Sequence, residues 1–105
     1  MSSTGVSVLL MTAPDQEKAA EIARALVTEG LIACANVVPK IRSIYRWEGK
    51  VCDEAEVLVI MKAPRAKFEA LSQRVRGLHP YTTPELIELD VTRGLPSYLE
   101  WVLAS

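Results

Sequence analysis

The chain has 105 residues, half of them apolar, and its 24% of charged side chains nearly cancel to a formal net charge of -1. That size makes one domain with its own core, and the charge balance argues against a nucleic-acid binder, which carries a basic excess. No run approaches the roughly 18 apolar residues that span a bilayer.

The N-terminal stretch MSSTGVSVLLMTAPD has no positive charge ahead of its short apolar run. It does not read as a secretory leader, so the cytoplasm is the expected location. Within it, Val6 to Thr12 is a β-rich run. Pro14 breaks it, and Asp15 is a good N-cap because its carboxylate accepts from free N–H groups of the first helical turn. The helix that follows carries Ala19, Ile22, Ala23 and Leu26 on one stripe, and Gly30 closes it.

Leu31 to Val38 reads as the second strand, interrupted by Pro39 and continued by the alternating Ile41 to Trp47. Glu48 to Lys50 is a hairpin turn in which Gly49 takes positive φ. The return strand ends in EVLVIMK, Glu56 to Lys62. Pro64 is expected to open a second helix with Phe68, Leu71, Val75 and Leu78 as its apolar stripe. That helix stops at His79, because a residue before proline avoids the α region. Glu85 to Val91 is a further strand, with Ile87, Leu89 and Val91 on one face. A short helix follows Pro96.

The order strand, helix, strand, strand, helix, strand predicts an α+β fold: a ferredoxin-like βαββαβ sandwich with an extended β-hairpin and a short C-terminal helix. Val8 to Met11 and Val57 to Met61 are apolar on both faces. Such strands belong where both faces are covered. Two helices cover one face and the last helix is too short for the other, so a second copy of the chain is the expected cover. The hairpin tip, with Tyr45, Trp47 and Glu48, points the same way, since an isolated ribbon is marginal.

Cys34 and Cys52 form no C-x-x-C motif and read as reduced thiols on neighbouring strands, adjacent only if the register brings them together. His79 is the only histidine. As a metal ligand it needs partners, either the carboxylates Glu85, Glu88 and Asp90 or the histidines of symmetry copies converging on one site. As a structural residue it hydrogen-bonds a carbonyl at a helix end and favours the helix dipole. Tyr45, Trp47, Tyr81, Lys62 and Glu85 are expected to line a cleft between subunits, either as walls of a small-molecule site or, for the aromatics, as interface anchors. There is no phosphate-cradling glycine loop, no G-x-S-x-G and no H-E-x-x-H, so the chain is not read as an enzyme. The aromatic strand motif of RNA-binding domains of this fold is absent.

The segments SIYRWEGK (Ser43 to Lys50), LHPYTTPE (Leu78 to Glu85) and YLEW (Tyr98 to Trp101), with TAPD and ACAN, resemble the CutA family of divalent-cation tolerance proteins. The resemblance covers nearly the whole chain. It implies a tight homotrimer of ferredoxin-like units, similar in architecture to the PII signalling proteins, and an association with copper or another divalent cation, with none required. Some members carry a cysteine at Met11 and a histidine at Leu78. With His79 these are their proposed copper ligands. Here the resemblance leaves His79 and, as a soft thioether, Met11. Three readings stay open: a trimeric metal-tolerance protein, a PII-like signalling trimer with a small molecule in the intersubunit cleft, and a scaffold acting through protein contacts.

Overall fold

The structure, a computed structural model, describes residues 4–105. The first three residues of the stretch read against a leader therefore lie outside the described residues. The elements are β1 (Val6–Ala13), α1 (Gln16–Thr28), β2 (Cys34–Trp47), β3 (Lys50–Pro64), a single 3-10 turn (Arg65–Lys67), α2 (Phe68–Leu78), β4 (Leu86–Asp90) and α3 (Pro96–Ala104). The sheet runs β2-β3-β1-β4 and every pairing is antiparallel. This is the expected α+β, ferredoxin-like order.

Local chemistry sets the boundaries. Asp15 caps α1, its Oδ1 accepting from the Lys18 N–H at 2.7 Å. At the other end Gly30 takes φ +74°. The N–H groups of Leu31 and Gly30 then reach back to the carbonyls of Leu26 and Val27, the paired bonds of a Schellman ending. Those bonds commit Leu31 and Ile32 to the helix cap, so β2 begins at Cys34 rather than at Leu31. Pro64 does not open α2. It ends β3 with φ -61° and ψ 133°, and the 3-10 turn intervenes. Proline suits both a strand end and a helix start, and the pairing of Val6 with Pro64 decides for the strand.

Alternation along β1 and β3 places Leu9, Met11 and Ala13 opposite Met61, Val59 and Val57, facing the helices. These residues, with Ile22 and Leu26 of α1 and Leu71 and Val75 of α2, form one buried cluster. The other face carries Val8, Leu10, Leu58 and Ile60 in the centre and Ile87 and Leu89 on β4. The helix α3 packs on β1 and β3 at one end of this face and buries Val102 completely. Ile87 and Leu89 stay half exposed, so the face is apolar and only partly covered.

The hairpin departs from a plain register once. Val38 pairs with Leu58 but Ile41 pairs with Glu56, leaving Pro39 and Lys40 opposite a single residue. Lys40 adopts φ 62° in this bulge. Its tip is a two-residue turn closed by the Trp47–Lys50 pair, with Glu48 at φ 51° and Gly49 at φ 80°. Both central residues have positive φ, as the type I′ turn demands.

Truncating the core should separate sharply from truncating the hairpin. Ile22→Ala, at a fully buried position, is expected to cost about 3 kcal/mol. Val51→Ala, at a residue 74% exposed, should change stability by less than about 0.5 kcal/mol in the monomeric chain. Urea unfolding of the two variants measures both.

Candidate functional site

Where the hairpin runs past the end of β1, the segment that follows α2 folds against it. The result is a cleft of about 680 Å³, lined by Tyr45, Trp47, Glu54, Glu56, Tyr81 and Glu85 among others. The bulge at Pro39–Lys40 explains why the hairpin aromatics face this way. A one-residue insertion reverses side-chain parity. Downstream of it Ser43, Tyr45 and Trp47 share a face with Glu54 and Glu56. The opposite face there carries Arg42 and Asp53, joined as a two-pronged ion pair at 2.7 and 2.9 Å.

The wall from the 80–85 segment is held by His79. The imidazole is 7% exposed. Its Nδ1 accepts from the Tyr81 N–H at 3.1 Å, so Nε2 carries the hydrogen and donates to the Thr12 carbonyl at 2.7 Å. The ring therefore ties the end of α2 to the end of β1. The carbonyl it serves belongs to a strand, not to a helix terminus. The Tyr81 ring lies 4.7 Å from the imidazole, centroid to centroid. Its hydroxyl donates to Glu56 Oε2 at 2.7 Å, and the Tyr45 hydroxyl donates to Glu54. Both phenols are pushed above their ordinary acidity range. For Tyr45 the Glu54 hydrogen bond leads. For Tyr81 burial leads, followed by the Glu56 hydrogen bond. Each effect disfavours the phenolate.

Four of the expected cleft residues, Tyr45, Trp47, Tyr81 and Glu85, come together. Lys62 does not. It shares the open sheet face but pairs across to Cys34 and Val8 near the other end, and its ammonium donates to the Asn36 side chain. Cys34 and Cys52 are likewise apart, opposite Lys62 and Tyr45 respectively. Cys34 Sγ sits 3.6 Å from the Tyr98 hydroxyl of α3. Met11 is fully buried in the core cluster. Glu88 accepts from the Ser7 hydroxyl and Asp90 pairs with Arg65. Glu54 and Glu56 were not singled out from the sequence. They look like ordinary hairpin charges until the register places them opposite the aromatics.

A ferredoxin-like sandwich with an overlong hairpin and an aromatic, acidic cleft along it defines the class. Residues 7–105 match the family described as CutA1 divalent ion tolerance protein. The chain is 46% identical over 95 residues to the divalent-cation tolerance protein CutA of Thermus thermophilus, covering 90% of this chain and 92% of that one. It is 42% identical over 95 residues to a chloroplastic protein CutA of Arabidopsis thaliana, covering 90% of this chain but 52% of that one. The solved divalent cation tolerance protein from T. thermophilus superposes with a TM-score of 0.92 at 44% identity, covering 94% of this chain and 96% of that one. This chain belongs to the CutA1 family.

The family name raises a divalent metal, and within one copy of the chain the described residues do not fit a resident one. Both ring nitrogens of His79 are engaged, Met11 is enclosed by apolar side chains, and among the described residues no three of His, Cys, Asp and Glu group as a metal-holding set. Among them, too, no helix is long and apolar enough to cross a membrane.

Two outcomes follow from this geometry. His79→Ala strands the buried Thr12 carbonyl and the Tyr81 N–H and is expected to cost about 3 kcal/mol in urea unfolding. The phenols give a pH signature. Because Tyr81 is harder to ionise when folded, its contribution is complete below the ordinary phenol value of 10.0 and is lost as pH climbs through the higher folded value. Phenolate absorbance should show Tyr45 and Tyr81 titrating late. Glu56→Gln should bring Tyr81 down, though not to the ordinary value, since burial remains.

Proposed function

We propose that this chain is a divalent-cation tolerance protein that works as a cytoplasmic homotrimer, meets copper or another divalent cation only weakly, and catalyses no reaction. The observation that carries this reading is the family match over residues 7–105. Assembly is supported by the apolar, partly covered sheet face of Val8, Leu10, Ile87 and Leu89 and by a hairpin that extends beyond the sheet. Closed symmetric association is the ordinary way such a face leaves water. The cytoplasmic setting is supported by two free cysteines placed at different ends of the hairpin.

On this reading His79 is a structural post. Weak metal contact falls to exposed carboxylates, whose attraction for a cation is screened by water and salt. Light scattering should give three times the 11.6 kDa chain mass. In a Cu(II) titration, wild type and His79→Ala should bind alike and weakly. A monomer in solution sinks the trimer. Loss of tight, stoichiometric copper on replacing His79 sinks its assignment as a post.

A further inference from the structure

The hairpin beyond the bulge, from Ile41 to Glu56, is a two-stranded ribbon with a pivot at its root. Lys40 holds φ 62° there and Pro39 gives no N–H to the ladder, so the pairing is interrupted at that point. Within the ribbon, Arg42 with Asp53 and Tyr45 with Glu54 join one strand to the other. These contacts stiffen the ribbon and leave its direction open. Among the described residues, one side-chain hydrogen bond runs from the ribbon to a residue outside it, from Tyr81 to Glu56.

That bond falls on the pivot. Glu56 faces Ile41, the first ladder pair past the bulge. It is 8% exposed, and a carboxylate that deep holds its donor firmly because little water competes. The donor is itself fixed. His79 accepts from the Tyr81 N–H and donates to the Thr12 carbonyl near the end of β1. Strand, imidazole, phenol and carboxylate form one connected path from the core to the root of the ribbon.

Leverage makes the angle at that root matter. At roughly 3.3 Å per residue, the stretch from Ile41 to Trp47 carries the tip about 20 Å from the pivot, so a tilt of about 10° displaces it by about 3.5 Å. Interface cores pack as tightly as interiors, and a shift of that size forfeits their contacts. Ile44, Tyr45, Trp47 and Val51 are the large apolar side chains that the ribbon exposes.

We infer that the Tyr81–Glu56 hydrogen bond is a latch: it sets the angle at which the ribbon leaves the sheet, and that angle admits the exposed end of the ribbon to a second copy of the chain, a role that rests on the homotrimer proposed above. Tyr81 and Glu56 are positioning residues in it. They act through the ribbon rather than by touching the partner.

Subunit exchange between isotope-labelled and unlabelled full-length protein, followed by native mass spectrometry, tests the latch. Tyr81→Phe keeps the ring and removes the donor, and should exchange about tenfold faster than wild type. Glu56→Gln keeps an acceptor and should stay close to wild type, while Glu56→Leu should match Tyr81→Phe. Combining Tyr81→Phe with Glu56→Leu should be no faster than either alone, since the same bond is lost only once. Tyr81 is half-buried, so Tyr81→Phe against Glu56→Gln decides the matter even where Glu56→Leu does not fold. Exchange of Tyr81→Phe at the wild-type rate overturns the latch. Glu56→Gln as fast as Tyr81→Phe overturns it by assigning the effect to charge, and additive effects overturn it by showing that each residue meets the partner separately. Light scattering keeps this apart from the assembly reading. If the wild type is a monomer, the homotrimer falls and the latch is read in the single chain, from the anisotropy decay of Trp47 in a Trp101→Phe background. Added fast motion in Tyr81→Phe then upholds it, and an unchanged decay overturns it.

Discussion

Everything distinctive about this molecule depends on one extra residue in β2. Pro39 and Lys40 together face a single residue of β3, and that mismatch reverses the parity of the strand beyond it. Upstream, odd-numbered Ala35 and Val37 pack toward the helices. Downstream, odd-numbered Ser43, Tyr45 and Trp47 sit on the other face with Glu54 and Glu56. In an unbroken ladder even-numbered Arg42, Ile44 and Arg46 would take the places of Ser43, Tyr45 and Trp47 on that face, opposite the same Glu54 and Glu56. The proline is suited to this position, since it has no N–H to lose from the ladder. Lys40 accepts a left-handed backbone to make the turn, a strain borne by the surrounding pairings.

The second wall of the cleft depends on a polar contact deep enough to be rigid. His79 follows α2 immediately before Pro80, where the helix must stop. A neutral imidazole suits this site because it offers one donor and one acceptor on opposite sides of a flat ring. Thr12 takes the hydrogen and Tyr81 gives one. The same connection leads outward, from Tyr81 through its hydroxyl to Glu56. The chain's only histidine thus positions an aromatic ring and, through it, a carboxylate. Fixing a site with buried, fully satisfied hydrogen bonds is stiffer than fixing it with surface pairs.

The legibility of the fold tracked how local its causes are. Asp15, Gly30 and Gly49 announce their turns because capping and positive φ are decided within a few residues. The start of β2 was misplaced by three residues because Leu31 and Ile32 are strand-like in composition, while the Schellman bonds to Leu26 claim them first. In the site, Tyr45, Trp47, Tyr81 and Glu85 were legible as aromatics and a charge beside turns. Lys62 was not separable from them. Period two tells which face a residue shares, and Lys62 does share the face of Glu56, but it says nothing about distance along a long strand. Glu54 and Glu56 were invisible for the complementary reason. Their partners are set by a cross-strand register, and the bulge shifts that register by one.

The two faces of the sheet differ in what covers them. The helix side is a closed apolar cluster that holds the fold by burial. The open side is apolar in its middle and acidic and aromatic where the hairpin leaves the sheet. A ribbon that projects beyond its sheet has few contacts to resist bending. The cleft runs along that ribbon from Glu56 near its base to Trp47 near its tip, so its width varies with how the ribbon is held. Covering the apolar middle with further copies of the chain would also support the ribbon, since both belong to one continuous face. Assembly and the definition of the cleft are then the same event. The carboxylates and rings of the cleft are brought together by the same register that sets the valines and leucines on this face.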